Sequence, residues 1–213
     1  MRPVLLIVTL VLMAAVGCTS GPSVPDESSY LGGIADARVQ KDKQFRELRE
    51  CGQGTSDDFC SPVPMNKREA LLPLRYYQVD SSYSVPAVLQ LADERPVVEM
   101  PTSTGAVRRM QRVGVLSFTF GAQPLSLGAY VEDGTQQITT LFVPFADTTT
   151  GTETYSAGRY LDLHPTTTGY YTIDFNRAYN PYCAYNATYE CPFPPASNRL
   201  KVPIRAGEKS PGA

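Results

Sequence analysis

Histidine occurs once in this chain of 213 residues, tryptophan not at all, and neither sign of charge dominates: 19 lysines and arginines face 21 aspartates and glutamates. The near balance excludes a protein that tracks nucleic-acid phosphates, which needs Lys and Arg gathered on one surface. The scarcity of histidine weakens most acid–base and metal chemistries. His164 stands before Pro165 at a strand end, with neither a nucleophile to serve nor a partner to orient it. There is no Gly-x-Ser-x-Gly elbow, phosphate-binding glycine loop, His-Glu-x-x-His pair or dinucleotide fingerprint. No catalytic residue is identified, no cofactor or metal is expected, and internal repeats, heptads and low-complexity tracts are missing from the body of the chain.

What is present begins at the N-terminus. Met1-Arg2 is a short basic start, residues 4–16 are uncharged and dominated by Val, Leu and Ala, and Ala15-Val16-Gly17-Cys18 follows. This run is far shorter than the roughly 20 residues of a spanning helix, so it reads as a secretory signal over residues 1–17. Small residues before Cys18 resemble the lipobox of a bacterial lipoprotein precursor, in which the cysteine thiol takes the lipid. Each buried methylene contributes about 0.8 kcal/mol, so two or three acyl chains anchor a protein durably where one does not. The expected protein is therefore tethered to a membrane, the outer one where the cell has two, facing away from the cytoplasm. Residues 18–33 read as the lipidated cysteine and a Ser/Gly/Pro-rich leash. Residues 34–209 read as one domain, and 210–213 as a tail.

The remaining cysteines form two close pairs, Cys51 with Cys60 and Cys183 with Cys191. In an exported chain the simplest expectation is a disulfide within each pair, each constraining the unfolded chain by about 2–3 kcal/mol. A four-cysteine metal site fits less well, because neither pair has the Cys-x₂₋₄-Cys spacing of a zinc knuckle.

Residues 34–50 lack Gly and Pro and place Ile34, Ala37, Lys41, Phe45 and Leu48 on one helical face. A surface helix with solvated charges is expected. Beyond it the period becomes strand-like, with segments at 76–79, 87–91, 96–100, 113–120, 124–131, 137–143, 159–163, 170–175 and 200–205 rich in β-branched and aromatic residues. Gly121-Ala122-Gln123 reads as a hairpin turn and residues 132–135 as a second tight turn. The fold class expected is mainly β, an antiparallel β-sandwich or barrel-like domain with one N-terminal α-helix.

The densest polar and aromatic stretch is 174–185 (DFNRAYNPYCAY). It starts as a strand and leaves the sheet at Asn180-Pro181, releasing Asp174, Asn176, Tyr179 and Asn180 together. Glu153, Tyr155 and Arg159 flank a Gly-containing turn upstream. One reading makes these seven residues the rim of a pocket for a polar ligand. The other makes them clamps, with Asp and Asn satisfying loop donors, Arg159 neutralising a buried carboxylate and the tyrosines packing.

Residues 141–145 (LFVPF), 149–155 (TTGTETY), 157–162 (AGRYLD), 174–185, 191–195 (CPFPP), Asn198 and 206–209 (AGEK) form an ordered set, joined by 41–45 (KDKQF) and 100–105 (MPTSTG). From about Asp36 to Lys209 the chain resembles the bacterial and archaeal domain-of-unknown-function family numbered 1684. Cys51 and Cys60 fall in what looks like an insertion relative to that pattern. The resemblance implies nothing specific about activity. The reading is a lipid-anchored envelope module that binds a small molecule or an envelope partner. One alternative is a hydrolase using Glu153 or Asp174, favoured by an open cleft with a desolvated acid. The other is a purely structural envelope protein, signalled by an exposed apolar patch without a pocket.

Overall fold

The computed structural model describes residues 26–52 and 59–212, so the signal sequence and Cys18 lie outside the described residues. Seven strands form one sheet: β1 (Ser84–Leu91), β2 (Val97–Pro101), β3 (Val107–Phe120), β4 (Gln123–Glu132), β5 (Leu141–Phe145), β6 (Arg159–Leu163) and β7 (Tyr170–Asp174). Their order is β6-β5-β4-β3-β1-β7, with β2 paired to β3 off this path, and every pairing is antiparallel. The sheet curls into a half-barrel, so the domain is mainly antiparallel β and barrel-like with one long N-terminal helix.

The long hairpin β3–β4 is its spine. Phe120 faces Gln123 across a two-residue turn in which Gly121 has φ of 60°, a conformation that suits the twist of the flanking strands and favours glycine. Register slips between Arg112 and Gly114, a bulge that bends β3. At Gly114 the chain approaches β1 so closely that a Cβ would sit 2.3 Å from the Gln90 carbonyl oxygen. Alternation along the strands sends Leu116, Leu127, Val143 and Ile173 inward, where all are essentially inaccessible to solvent. Each such side chain contributes about 1.5–3 kcal/mol by leaving water.

Between β4 and β5 the ladder is reduced to one pair, Tyr130 with Phe142. Asn198, fully buried, splices the opening: its amide donates to the carbonyls of Gly128 (2.9 Å) and Pro144 (2.7 Å), and its oxygen accepts from the Gly128 N–H at 2.8 Å.

Two expected strands are not strands. Residues 200–205 alternate correctly and bury Leu200, Val202 and Ile204. Their backbone, however, bonds to the irregular segment after β5, with Leu200 N–H to Ala146 O at 2.8 Å, so no ladder forms. Residues 76–79 make only the bridge of Tyr76 with Glu208.

Helix α1 spans Glu27–Glu47, seven residues earlier than the pattern suggests, and occupies residues 27–33 of the expected leash. Gly32 and Gly33 each cost an isolated helix about 1 kcal/mol, so tertiary contacts sustain this first half. Tyr30 supplies one, donating to Asp174 Oδ1 at 2.9 Å. Ile34 and Phe45 pack inward. The helix charges are not all solvated, contrary to expectation. Arg38 donates to the carbonyl of Tyr77 at 2.9 Å and lies 4.4 Å over the Tyr76 ring, and Lys41 pairs with the buried Glu208.

The Cys51–Cys60 bridge is formed. The second expected bridge is not: Cys183 and Cys191 are separate, buried thiols. The short helical turn Tyr182–Ala184 holds Cys183 so that its N–H donates to Cys191 Sγ at 3.2 Å.

Candidate functional site

The seven residues singled out in the sequence do not converge on one rim. Arg159 is interior, 1% exposed. Its guanidinium donates to Asp147 Oδ2 (2.9 Å) and to the carbonyls of Ile204 (2.7 Å), Glu208 (3.2 Å) and Ala206, so it locks the C-terminal segment to the sheet. The carboxylate it neutralises, Asp147, also accepts from the N–H (2.8 Å) and hydroxyl (2.6 Å) of Thr149.

Asp174 and Asn176 form a second clamp at the end of β7. Asp174 accepts from the Asn176 N–H at 3.1 Å, capping the turn, and pairs with Arg177 at 3.2 Å. Asn176 exchanges both amide bonds with the Asp80 backbone (3.1 and 2.7 Å) and also donates to Tyr30. Asn180 donates to the Lys209 carbonyl at 2.7 Å.

Asn180 also leads to a group the sequence reading left out. Glu208, 1% exposed, accepts from the Asn180 N–H (2.8 Å) and the Tyr185 hydroxyl (2.6 Å) while pairing with Lys41. It thereby ties α1, the 174–185 loop and the C-terminal segment together. Gly207 makes this possible: at φ of 75° it passes so near Ala178 and Phe175 that a Cβ would fall 2.6 and 2.7 Å from their carbonyl oxygens.

Glu153 lies at the surface between Arg205 (2.8 Å) and the Tyr77 hydroxyl (3.0 Å). Arg205, then Tyr77, hold its carboxyl below the usual range, while burial and Glu153 push the Tyr77 hydroxyl up to about 12. Glu153 and Asp174 thus share neither partner nor cleft. Tyr155 turns away from both and donates to the Cys183 carbonyl at 3.4 Å.

Tyr179 alone of the seven lines a cavity of about 490 Å³ walled by several aromatic rings. One side is aromatic: Phe142 and Tyr160 meet edge to face at 4.7 Å, Tyr160 and Tyr179 at 5.8 Å, Tyr182 and Tyr189 at 5.4 Å. Their polar ends are anchored, Tyr160 donating to the Pro192 carbonyl and Tyr179 to Asp162 Oδ2, both at 2.7 Å. Burial, then the Asp162 charge, raises the Tyr179 hydroxyl; burial also raises the Asp162 carboxyl above its usual value of 3.8. Polar lining comes from Thr135, Gln137, Thr139 and Thr140 of the β4–β5 connection. Arg108 stands at the rim between Glu132 (3.4 Å) and Glu190 (3.5 Å).

The sequence did carry a sign of this wall. Tyr179, Tyr182 and Tyr189 fall within eleven residues. Their convergence with Phe142 and Tyr160 depends on the Tyr160–Tyr179 bridge, a long-range contact. Among the described residues no group of three or more His, Cys, Asp or Glu could hold a metal ion, and no helix is long and apolar enough to cross a membrane.

The fold and cavity define a half-barrel β domain with a tyrosine-lined concavity to which loop residues from Tyr179 to Pro192 contribute. Over residues 70–209 the chain matches the family described as Protein of unknown function (DUF1684), and it belongs to that family. It is similar to an uncharacterized protein of Haloarcula marismortui whose solution structure was determined by NMR: 34% identity, 85% of this chain and 95% of that one covered, TM-score 0.64. No curated protein matches the chain.

Proposed function

We propose that this protein is a lipid-anchored binding module of the cell envelope and that its site is the tyrosine-lined cavity. The observation that carries the reading is the cavity itself: about 490 Å³, lined by aromatic rings, by hydroxyl and amide groups, and by the charged Arg108, Glu132 and Glu190. Small-molecule sites have this size and this division between apolar surface and a few polar groups. A ring compound with an apolar face and hydroxyl or amide substituents fits it, lying on the tyrosines while Gln137 and the threonines meet its polar edge. Saccharides of the envelope have that chemistry, and a chain tethered at Cys18 stands among them.

The carboxylate arrangement favours a module over a hydrolase. Glu153 is a half-buried, arginine-paired acid, and Asp174, which borders a separate cavity of about 450 Å³, is already engaged by Tyr30, Asn176 and Arg177. The presence of a cavity argues against a purely structural role.

The test uses the full chain purified in detergent and titrated with N-acetylglucosamine, its β-1,4 dimer and a muramyl dipeptide. With no tryptophan, emission comes from the 13 tyrosines, of which Tyr160, Tyr179, Tyr182 and Tyr189 line the cavity. At least one probe is expected to shift it saturably, and Gln137→Ala together with Thr139→Val to weaken that response several-fold while leaving the melting temperature nearly unchanged. No saturable response to any of the three overturns the saccharide reading. Cys18→Ser is expected to abolish incorporation of labelled fatty acid and release the protein from membranes; a membrane-bound variant with no lipid on the native protein overturns the anchor.

A further inference from the structure

The two unbridged thiols occupy a more particular environment than structural cysteines need. Cys191 is fixed by two backbone bonds to one residue, its N–H donating to Ser103 Oγ at 3.1 Å and its carbonyl accepting from Ser103 N–H at 3.0 Å. Cys183 is fixed by the turn Tyr182–Ala184. These restraints hold the Cys183 N–H 3.2 Å from Cys191 Sγ, and the two thiols lie within hydrogen-bonding reach of each other. The Tyr155 hydroxyl approaches Cys183 Sγ at 3.8 Å. Both cysteines are buried, yet Cys191 forms part of the wall of the 490 Å³ cavity, and Ser103 and Tyr155 line a second cavity of about 410 Å³. The pair therefore borders solvent-sized space through its own contacts, unlike a thiol sealed in a core.

We propose that Cys183 and Cys191 are a redox-active dithiol that exchanges with low-molecular-weight disulfides, Cys183 attacking and Cys191 resolving. The assignment of roles follows the contacts. Hydrogen bonds from Cys191 first, then from Tyr155 and Ser103, pull the Cys183 thiol down to about 7 against the opposing effect of burial. Cys191, which donates to Cys183 and is itself buried, is pushed up. The thiolate is the nucleophile in exchange, so the cysteine that ionises near neutral pH attacks. The Cys183 thiolate attacks one sulfur of the small disulfide, forming a mixed disulfide and expelling one thiolate. Cys191 loses its proton and attacks the Cys183 sulfur, closing the intramolecular bridge and expelling the second thiolate. The two expelled thiolates take up the two protons lost by the cysteines. One small disulfide is reduced to two thiols as the protein dithiol is oxidised to a disulfide. This proposal is independent of what the cavity binds.

The chain's tryptic sites separate the two cysteine pairs: residues 50–67 carry Cys51 and Cys60, and residues 178–199 carry Cys183 and Cys191. The full chain in detergent is equilibrated at neutral pH with graded ratios of reduced to oxidised glutathione, trapped by N-ethylmaleimide under denaturing conditions, digested and weighed. Peptide 178–199 is expected to pass reversibly from doubly alkylated to internally bridged, two hydrogen atoms lighter than its dithiol, while peptide 50–67 stays bridged at the same ratios. In Cys191→Ser, Cys183 is expected to accumulate a glutathione adduct; in Cys183→Ser, Cys191 is expected to stay largely unmodified. A 178–199 peptide that remains doubly alkylated at the most oxidising ratio overturns the proposal. So does one that stays bridged at every ratio, since it is then a structural disulfide. A glutathione adduct appearing on Cys191 instead of Cys183 overturns the assignment of the attacking thiol.

Discussion

Replacing Arg159 with alanine tests the claim that the most conspicuous cation in the candidate stretch is a clamp. The guanidinium is 1% exposed, pairs with Asp147 at 2.9 Å, caps the carbonyls of Ile204, Ala206 and Glu208, and lies 5.1 Å over the Phe145 ring. Truncation leaves the Asp147 carboxylate buried with only its bonds to Thr149 and the Ile204 N–H, and leaves three carbonyls without a donor. Removing one partner of a buried pair costs about 3–5 kcal/mol, because the remaining charge is stranded away from water. For a domain of this size each kcal/mol lowers the melting temperature by roughly 2–4 °C, so Arg159→Ala is expected to melt roughly 6–20 °C below the parent by far-ultraviolet circular dichroism. Asp147→Asn removes the stranded charge and keeps an acceptor for Thr149. The double variant Arg159→Ala/Asp147→Asn is therefore expected to be less destabilised than the sum of the single changes, by about 1–3 kcal/mol in a double-mutant cycle. A cooperative melt within about 2 °C of the parent for Arg159→Ala, or strict additivity in the cycle, refutes the clamp.

Asn176→Ala breaks both bonds to the Asp80 backbone and the one to Tyr30; urea unfolding is expected to show a loss of about 1–3 kcal/mol, the usual cost of leaving buried groups unpaired. Gly207→Ala meets the carbonyls of Ala178 and Phe175 and must adopt φ of 75°; about 2 kcal/mol or more is expected to be lost, and an unchanged midpoint contradicts the close approach. Asp162 has a folded-state pKa raised by burial, so the native state binds the extra proton and stability falls as pH rises from the unfolded value through the folded one. Asp162→Asn is accordingly expected to melt above the parent at pH 7, with the difference vanishing by about pH 3.5, below the ordinary aspartate pKa; a variant that gains most in acid reverses the sign of the argument. Reversible loss of stability on reducing only the Cys51–Cys60 bridge is expected at about 2–3 kcal/mol.

The strands were legible because burial on one face imposes a period of two that survives any change of partner. The strand-like run at residues 159–163 has the same bounds as β6, and Gly121 marks the hairpin as a residue suited to positive φ. The same period misled at residues 200–205, where alternate burial is real but the hydrogen bonds run to an irregular segment. Local pattern reports which side faces the core; it does not report which backbone lies alongside. The start of α1 was missed for a related reason: Gly32 and Gly33 lower local helix propensity, and Tyr30's bond to Asp174, 144 residues away, outweighs them. The candidate stretch divides in the same way. That Asp174 ends its strand and Asn176 and Asn180 lie off the sheet follows from the turn that Asp174 caps directly after β7, ahead of Asn180-Pro181. That they are consumed by Tyr30, Asp80 and Lys209, while Tyr160, Tyr179 and Phe142 wall the cavity, follows from which distant segments fill the space beside them. Sequence determined the periodicity and the breaks, but its spacing pointed equally to both cysteine pairs, and only Cys51–Cys60 is bridged. The closure of the half-barrel decided which polar groups are satisfied and which surface stays concave, because satisfaction and concavity are properties of neighbours brought together by the fold.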